Sequence, residues 1–424
     1  MSIPIRLFIT GALICLLLVG SGPAYSDEPL SLNSLTEEVK KNNPEILSAK
    51  KRWDASLARV PQARALDNPQ IGFTLEKIPS GTLKLNETMP EDRMLSISQM
   101  VPFFGKLPLK KKIAVIESQM FAAEYKNKEL EIINELKNGY YDLFMNYKEI
   151  ELSEESLKLL KGIAKIAESK YAVGEIRQEE LFKINLEIAK LSNDIANLNQ
   201  EQLAKKTRIN TILNREPENP LGIPGLEEDV SFHQDIDSLY KRTLGNQPEL
   251  LIFSYAIERN KNAKSLTKKS YFPDMMAQIV QRGITSGSIG AWDIMLSFTV
   301  PLWFWTKQRY EVKEAIANLE EARAAYEAMK NRALSETRDL AAKIEIAKNK
   351  NQLNKTNLIP LLESSINASL GALRSGKGDL MELLDSERML IETRMNYYKT
   401  LVEYNMSLAD LEQTVGVELR EVRR

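Results

Sequence analysis

Few side chains in this sequence are of types that do chemistry. The single histidine, His233, lies in a proline-rich stretch, and the single cysteine, Cys15, lies in an apolar run near the start. Neither has neighbours at metal-ligand spacing, and no nucleophile–base pairing or glycine-rich phosphate loop is evident. Met275, Met276 and Met295 fall in runs that read as strands, where packing is the ordinary use of a thioether. What remains is a pair of carboxylates, Glu382 and Asp385, three residues apart and therefore on one face of a helix. On an arbitrary helix such a pair is solvated surface. These residues point away from an enzyme and imply no metal or cofactor.

The elements that would position them are mostly helical, with two exceptions. Residues 273–282 and 291–300 read as short strands joined by the turn-forming stretch Gly283 to Gly290. In the second, Trp292, Ile294, Leu296, Phe298 and Val300 alternate with Asp293, Met295, Ser297 and Thr299, which makes one face oily and the other mostly polar. An earlier pair, residues 69–79 and 93–101, repeats the device. There Ile71, Phe73, Leu75, Leu95 and Ile97 alternate with Gln70, Thr74, Glu76, Ser96 and Ser98. A lone hairpin is marginal, and its edges need partners.

The chain has 424 residues and is 43% hydrophobic, which excludes disorder. Residues 1–26 read as a signal peptide, with Arg6, an apolar run from Leu7 to Val19 and a small-residue cleavage site at Ala24-Tyr25-Ser26. Ile14 before Cys15 is not the small residue a lipid-anchor signal wants, so an unlipidated, exported chain without thiols is expected. Beyond the signal, 56 basic residues face 58 acidic ones, a balance that gives no long-range field for nucleic acid. No later run of apolar residues is long enough for a transmembrane helix, whereas the strands are about the 9 to 11 residues that a tilted membrane strand needs.

The helical pattern occurs twice. Ser34 to Leu66 reads as one helix running into Pro69, and Ser238 to Ser270 as its counterpart running into Pro273. Asn42-Asn43-Pro44-Glu45 corresponds to Asn246-Gln247-Pro248-Glu249 at the same offset, which argues for duplication. After each strand pair comes a very long helix, Leu107 to Tyr171 and Thr306 to Leu373, the second with a kink expected at Pro360. Each would reach about 100 Å. Each ends at glycines, Gly174 in the first half and Gly376 and Gly378 in the second, and return helices follow over Glu179 to Asn214 and Asp379 to Gly416 with coiled-coil spacing. The expected division is a first repeat over 27–214, a connector over 215–236, a second repeat over 237–417 and a tail over 418–424.

This order of elements resembles the outer-membrane efflux channel family, the TolC-like proteins. The duplicated Asn-x-Pro-Glu, the strand entries at Pro69 and Pro273, the exits Val101-Pro102-Phe103-Phe104-Gly105-Lys106 and Val300-Pro301-Leu302-Trp303, and the tips Tyr171-Ala172-Val173-Gly174 and Arg374-Ser375-Gly376 carry the likeness. The fold it implies is mainly α with a small membrane β-barrel. A homotrimer would share a twelve-strand barrel, four strands per subunit, above a helical tunnel through the periplasm. That four strands cannot close a barrel follows independently of the resemblance. Phe73, Leu75, Leu95, Ile97, Trp292, Ile294, Leu296 and Phe298 would then face outer-membrane lipid, with Trp303 and Trp305 in an interfacial girdle. The alternative for these faces is a soluble sheet packed on helices.

The resemblance further implies that Tyr171, Val173, Gly174, Ser375 and Gly376 form tips where a periplasmic adaptor docks, although the glycines also suit plain helix caps. It implies that Glu382 and Asp385 ring the tunnel entrance, six carboxylates in three copies, favouring cations and repelling one another. An inner-membrane transporter of the RND type would supply the energy. The exit motif at Val101 to Lys106 resembles the heavy-metal efflux branch. Two rival readings are a duct for type I protein secretion and a non-conducting periplasmic coiled-coil tether.

Overall fold

A residue that precedes proline avoids helical backbone, and the chain breaks where that rule applies. In a computed structural model, which describes residues 30–78, 89–226, 232, 234–283, 290–375 and 378–419, the stretch expected as one helix from Ser34 to Leu66 is two. Helix α1 (Leu32–Asn42) ends at Asn43, which is extended, and α2 (Pro44–Gln62) starts on the proline. Asn43 caps α2 by accepting the Glu45 and Ile46 N–H groups, while its own amide donates to the Ile212 carbonyl at 2.8 Å. The second half breaks likewise between α5 (Ile236–Asn246) and α6 (Pro248–Lys268), at extended Gln247.

The long helix of the first half is continuous: α3 (Lys106–Ala172) has 67 residues and spans about 100 Å. The return helix α4 (Gln178–Ile212) lies on its distal half, and α2 on the half nearer the strands. In the second half the long helix is interrupted. Helix α7 (Gln308–Leu353) passes into a five-residue π turn, Asn354–Leu358, before α8 (Ile359–Arg374), and α9 (Leu380–Val415) returns. Pro360 is the cause: it has no N–H for the Thr356 carbonyl, its ring crowds that carbonyl, and the wider π turn makes the room.

Four strands form one antiparallel sheet in the order β1 (Gln70–Leu75), β2 (Arg93–Val101), β3 (Asp274–Arg282) and β4 (Ala291–Thr299). β1 is shorter than the run 69–79 suggested. It stops before Lys77, which takes a left-handed φ of 49° and pairs with Asp92 at 3.1 Å. The central contact, β2 on β3, joins the two halves of the chain through pairs such as Ile97 with Ile279.

Helices bury their apolar stripes in clusters spaced along the bundle. Midway, Leu35 and Val39 of α1, Leu136 and Leu143 of α3 and Ile209 of α4 pack with Val402 of α9. Here the proline-rich stretch after α4 is pinned to the bundle. Tyr140 Oη accepts the Gly225 N–H at 2.9 Å and donates to the Leu30 or Gly225 carbonyl, each at 2.7 Å. Far from the sheet, Ile163 and Ala167 of α3, Ile184 of α4, Ile366 of α8 and Leu383 of α9 form another cluster.

Candidate functional site

Side chains alternate across a strand, so register decides which residues share a face. The pairings put Phe73, Leu75, Leu95, Ile97, Trp292, Ile294, Leu296 and Phe298 on one face of the sheet. They also align Ile71, Ile97, Ile279 and Ile294 in one row across all four strands. No helix covers this face: Ile71 is 73% exposed and Ile294 77%. The opposite face holds Gln70, Thr74, Ser96, Ser98, Gln278, Asp293, Ser297 and Thr299, with an Arg282–Asp293 ion pair at 2.5 Å. Pairing also reveals what alternation in the sequence obscures. Met94, Met100, Met276, Val280 and Met295 share the polar face, while Gln99 and Gln281 interrupt the oily one.

Among the described residues neither edge of this sheet is paired. The outer sides of β1 and β4 present rows of backbone donors and acceptors, the arrangement that recruits further strands. At the end of the sheet nearest the helices, Asp274 at the start of β3 accepts the Phe103 N–H at 2.6 Å and the Lys106 ammonium at 2.7 Å, binding the exit of one hairpin to the entry of the other. Trp303 and Trp305 project nearby, both exposed and in edge-on contact with ring centres 6.2 Å apart.

The far end of α3 is the first tip. Gly174 adopts φ of +76°, which a side chain resists, and lets the Glu175 N–H reach the Lys170 carbonyl at 2.9 Å. Lys170 also pairs with Glu175 at 2.8 Å. Tyr171 and Val173 stand exposed beside this turn. In the second tip, Ser375 is exposed and its hydroxyl donates to the Ala372 carbonyl, whereas Gly376 lies outside the described residues. Gly378 is held tightly: a Cβ there would come within 2.5 Å of the Leu373 nitrogen. Caps and exposed side chains thus occupy the same turns.

Helix α9 starts at Asp379, whose carboxylate accepts the Met381 N–H at 2.8 Å. Glu382 and Asp385 follow within two turns, both exposed. Asp385 has a cation in reach, Arg388 at 3.9 Å, and Arg388 in turn reaches Glu187 of α4 at 3.4 Å. The first-half positions differ, with Glu180 near Arg177 and Lys183 paired with Glu179 at 2.7 Å.

The residue that sequence reasoning missed is Glu387. It is only 4% exposed and accepts a hydrogen bond from the Ser156 hydroxyl of α3 at 2.5 Å. Burial pushes its carboxyl above the usual range, and the charge of Glu187 adds to this, against the opposing Ser156 hydrogen bond and Arg388 charge. The signal was available, because Leu383, Glu387 and Leu390 fall at steps of four and three, so a carboxylate occupies a core position of the stripe. Among the described residues no three His, Cys, Asp or Glu side chains converge as metal ligands, and no helix is long and apolar enough to cross a membrane.

Comparison with known proteins accords with this geometry. The chain is similar to the cobalt-zinc-cadmium resistance protein CzcC of Cupriavidus metallidurans, 18% identical over 400 residues, covering 93% of this chain and 92% of that one. Its fold matches the outer membrane protein VceC of Vibrio cholerae with a TM-score of 0.77 at 16% identity, over 92% of this chain and 97% of that one. CusC matches at 0.77 and 16%, over 91% and 92%, and the MtrE outer membrane channel of Neisseria gonorrhoeae, in its open state, at 0.73 and 15%, over 92% and 89%. The architecture is that of TolC-like channels, a long-helix portion joined to barrel strands. The model of outer membrane efflux proteins matches residues 35–215 and 239–417, most of the chain, and the chain belongs to that family.

Proposed function

We propose that this protein is the outer-membrane exit duct of a tripartite efflux pump. Three copies would pair the free edges of β1 and β4 into a twelve-strand barrel, with the isoleucine row and its neighbours toward lipid and the serine- and threonine-bearing face toward water. The observation that carries this reading is the uncovered, two-faced sheet at one end of helices about 100 Å long. A sheet built to pack on helices would have its apolar face covered; this one does not. Residues 1–26 would direct export, and the helices would extend into the periplasm.

The duct performs no chemistry. It lowers the barrier to diffusion across a bilayer, while an inner-membrane transporter, of the RND type in this reading, supplies the energy. A periplasmic adaptor would dock at the tips around Tyr171, Val173, Gly174, Ser375 and Gly376. Glu382 and Asp385 of three copies would surround the entrance and favour cations, with Arg388 moderating the field. The likeness to a cobalt-zinc-cadmium resistance protein supports heavy-metal cations as cargo.

Planar bilayer recording tests the proposal. Purified protein is expected to give cation-preferring conductance steps, larger in E382Q/D385N. Absence of steps would favour the non-conducting tether. Type I protein secretion differs only in partners, and loss of metal tolerance on gene deletion, with protein export intact, separates the two.

A further inference from the structure

All four passages between helix and strand lie at one edge of the sheet, because the antiparallel register sets the start of β1 and β3 beside the end of β2 and β4. This edge has an unusual composition. Residues 58–69, 101–116, 258–274 and 300–314 hold fourteen Lys and Arg against five Asp and Glu, of which Glu258 and Asp274 pair with Lys112 and Lys106, in a chain that balances 57 against 58. The loops at the opposite edge, 76–92 and 283–290, hold two against four. Aromatic rings crowd the same basic edge: Phe104, Trp303, Phe304 and Trp305 are all exposed.

The cations there are of two kinds. Lys106 is committed to Asp274, and Lys269 lies 5.7 Å from the centre of the Phe103 ring, which stacks on Phe272, with its ammonium donating to the Phe104 carbonyl at 3.2 Å. Lys110, Lys268, Lys307 and Arg309 are exposed, and among the described residues none has a carboxylate within ion-pair distance. Lys110 still feels Asp274 at longer range, and the four ammonium and guanidinium groups stand in solvent beside an exposed aromatic row without a bonded counter-charge.

We propose that this edge seats the headgroups of an anionic phospholipid leaflet. The rings of Trp303, Phe304 and Trp305 would lie at the boundary between acyl chains and headgroups, where amphipathic and bulky aromatics are favoured. The stems of Lys110, Lys268, Lys307 and Arg309 would extend along the apolar surface and place their charges among the phosphates. Zwitterionic headgroups carry no net charge to meet this excess, so the site discriminates by charge. The inference rests on the channel reading, since only a sheet in a bilayer brings this edge to a headgroup layer.

The test uses the full-length protein in vesicles of phosphatidylglycerol and phosphatidylcholine, with spin-labelled lipids reporting the first shell and conductance recorded on the same preparation. Phosphatidylglycerol should associate roughly three- to tenfold more strongly than phosphatidylcholine at low salt, and nearly equally at about 1 M salt. The variant K110Q/K268Q/K307Q/R309Q should lose the preference at low salt while keeping its conductance. Equal association in a conducting wild type overturns the inference, leaves the channel reading standing, and turns the basic edge toward an acidic protein partner. Retention of the preference in the variant overturns the assignment to these four side chains. A protein that neither conducts nor acquires a lipid shell overturns both readings.

Discussion

The two halves of the chain agree at the sheet and differ at the tip. At the sheet each half supplies a hairpin, and the isoleucine row draws Ile71 and Ile97 from one and Ile279 and Ile294 from the other. Toward the tip, α3 runs unbroken, whereas the second half passes through the π turn at Asn354–Leu358 into the separate 16-residue α8. In the channel reading every strand would meet the same lipid, which leaves little room to depart from a shared pattern. The π turn follows from Pro360, which the first half lacks at the tip-proximal part of α3. Toward the tip the halves are joined by the apolar cluster of Ile163, Ala167 and Ile184 with Ile366 and Leu383, and by polar ties: Arg388 to Glu187, Arg394 to Glu155 at 3.4 Å, and Ser156 to Glu387. Arg394 also holds Glu363 of α8 at 2.6 Å.

The largest expected effect tests the equal ends. Ile97→Lys and Ile294→Lys, in the same row from different halves, should each destabilise the protein in lipid by about 2–4 kcal/mol, against little for Ser297→Lys on the other face. Denaturant titration in vesicles measures this, and unequal losses at these two members of the row would break the equivalence. The unequal end comes next. Lys158→Pro, at an exposed position inside the unbroken α3, should cost about 3 kcal/mol and expose nearby amides to hydrogen exchange. Pro360→Ala should cost less than about 1 kcal/mol and slow exchange across residues 354–358, because the α hydrogen bond becomes available again.

The buried carboxylate Glu387, where α9 meets α3, has a pH signature. Since the folded protein holds the Glu387 proton more tightly than the unfolded chain does, its contribution to stability is complete below the ordinary glutamate range, near pH 4, and is lost as pH rises through the folded-state value. Glu387→Gln keeps an acceptor for Ser156 without the buried charge. It should melt higher than the wild type at neutral pH and coincide with it near pH 4. A constant difference at all pH values would show that folding does not raise the Glu387 carboxyl. The smallest effect belongs to Arg388→Ala. Exposed pairs of this kind contribute less than about 1 kcal/mol, so stability should barely change while tip opening, followed by cross-linking of α4 to α9, increases.

Much of the fold was legible because its determinants are local. Alternation in Trp292 to Val300 fixes a two-faced strand whatever it pairs with, and three-four spacing through α3 fixes a packing stripe. The break at Asn43-Pro44 overturned the expectation of one helix from Ser34 to Leu66, because the apolar stripe runs on across it, although an asparagine cap before a proline is itself a local helix start. Glu387 was hard to see for a different reason, because a glutamate on a helix is ordinarily solvated until a second helix covers it.

The sequence by itself determined the strands, their oily and polar faces, the long helices and the glycine turns, all set by steric and hydrophobic patterns within a few residues. Only the tertiary structure decided that β2 lies on β3, that Lys106 meets Asp274 some 168 residues away, and that Ser156 meets Glu387. Such contacts depend on which surfaces remain unburied once the helices have assembled, and no local pattern encodes that remainder.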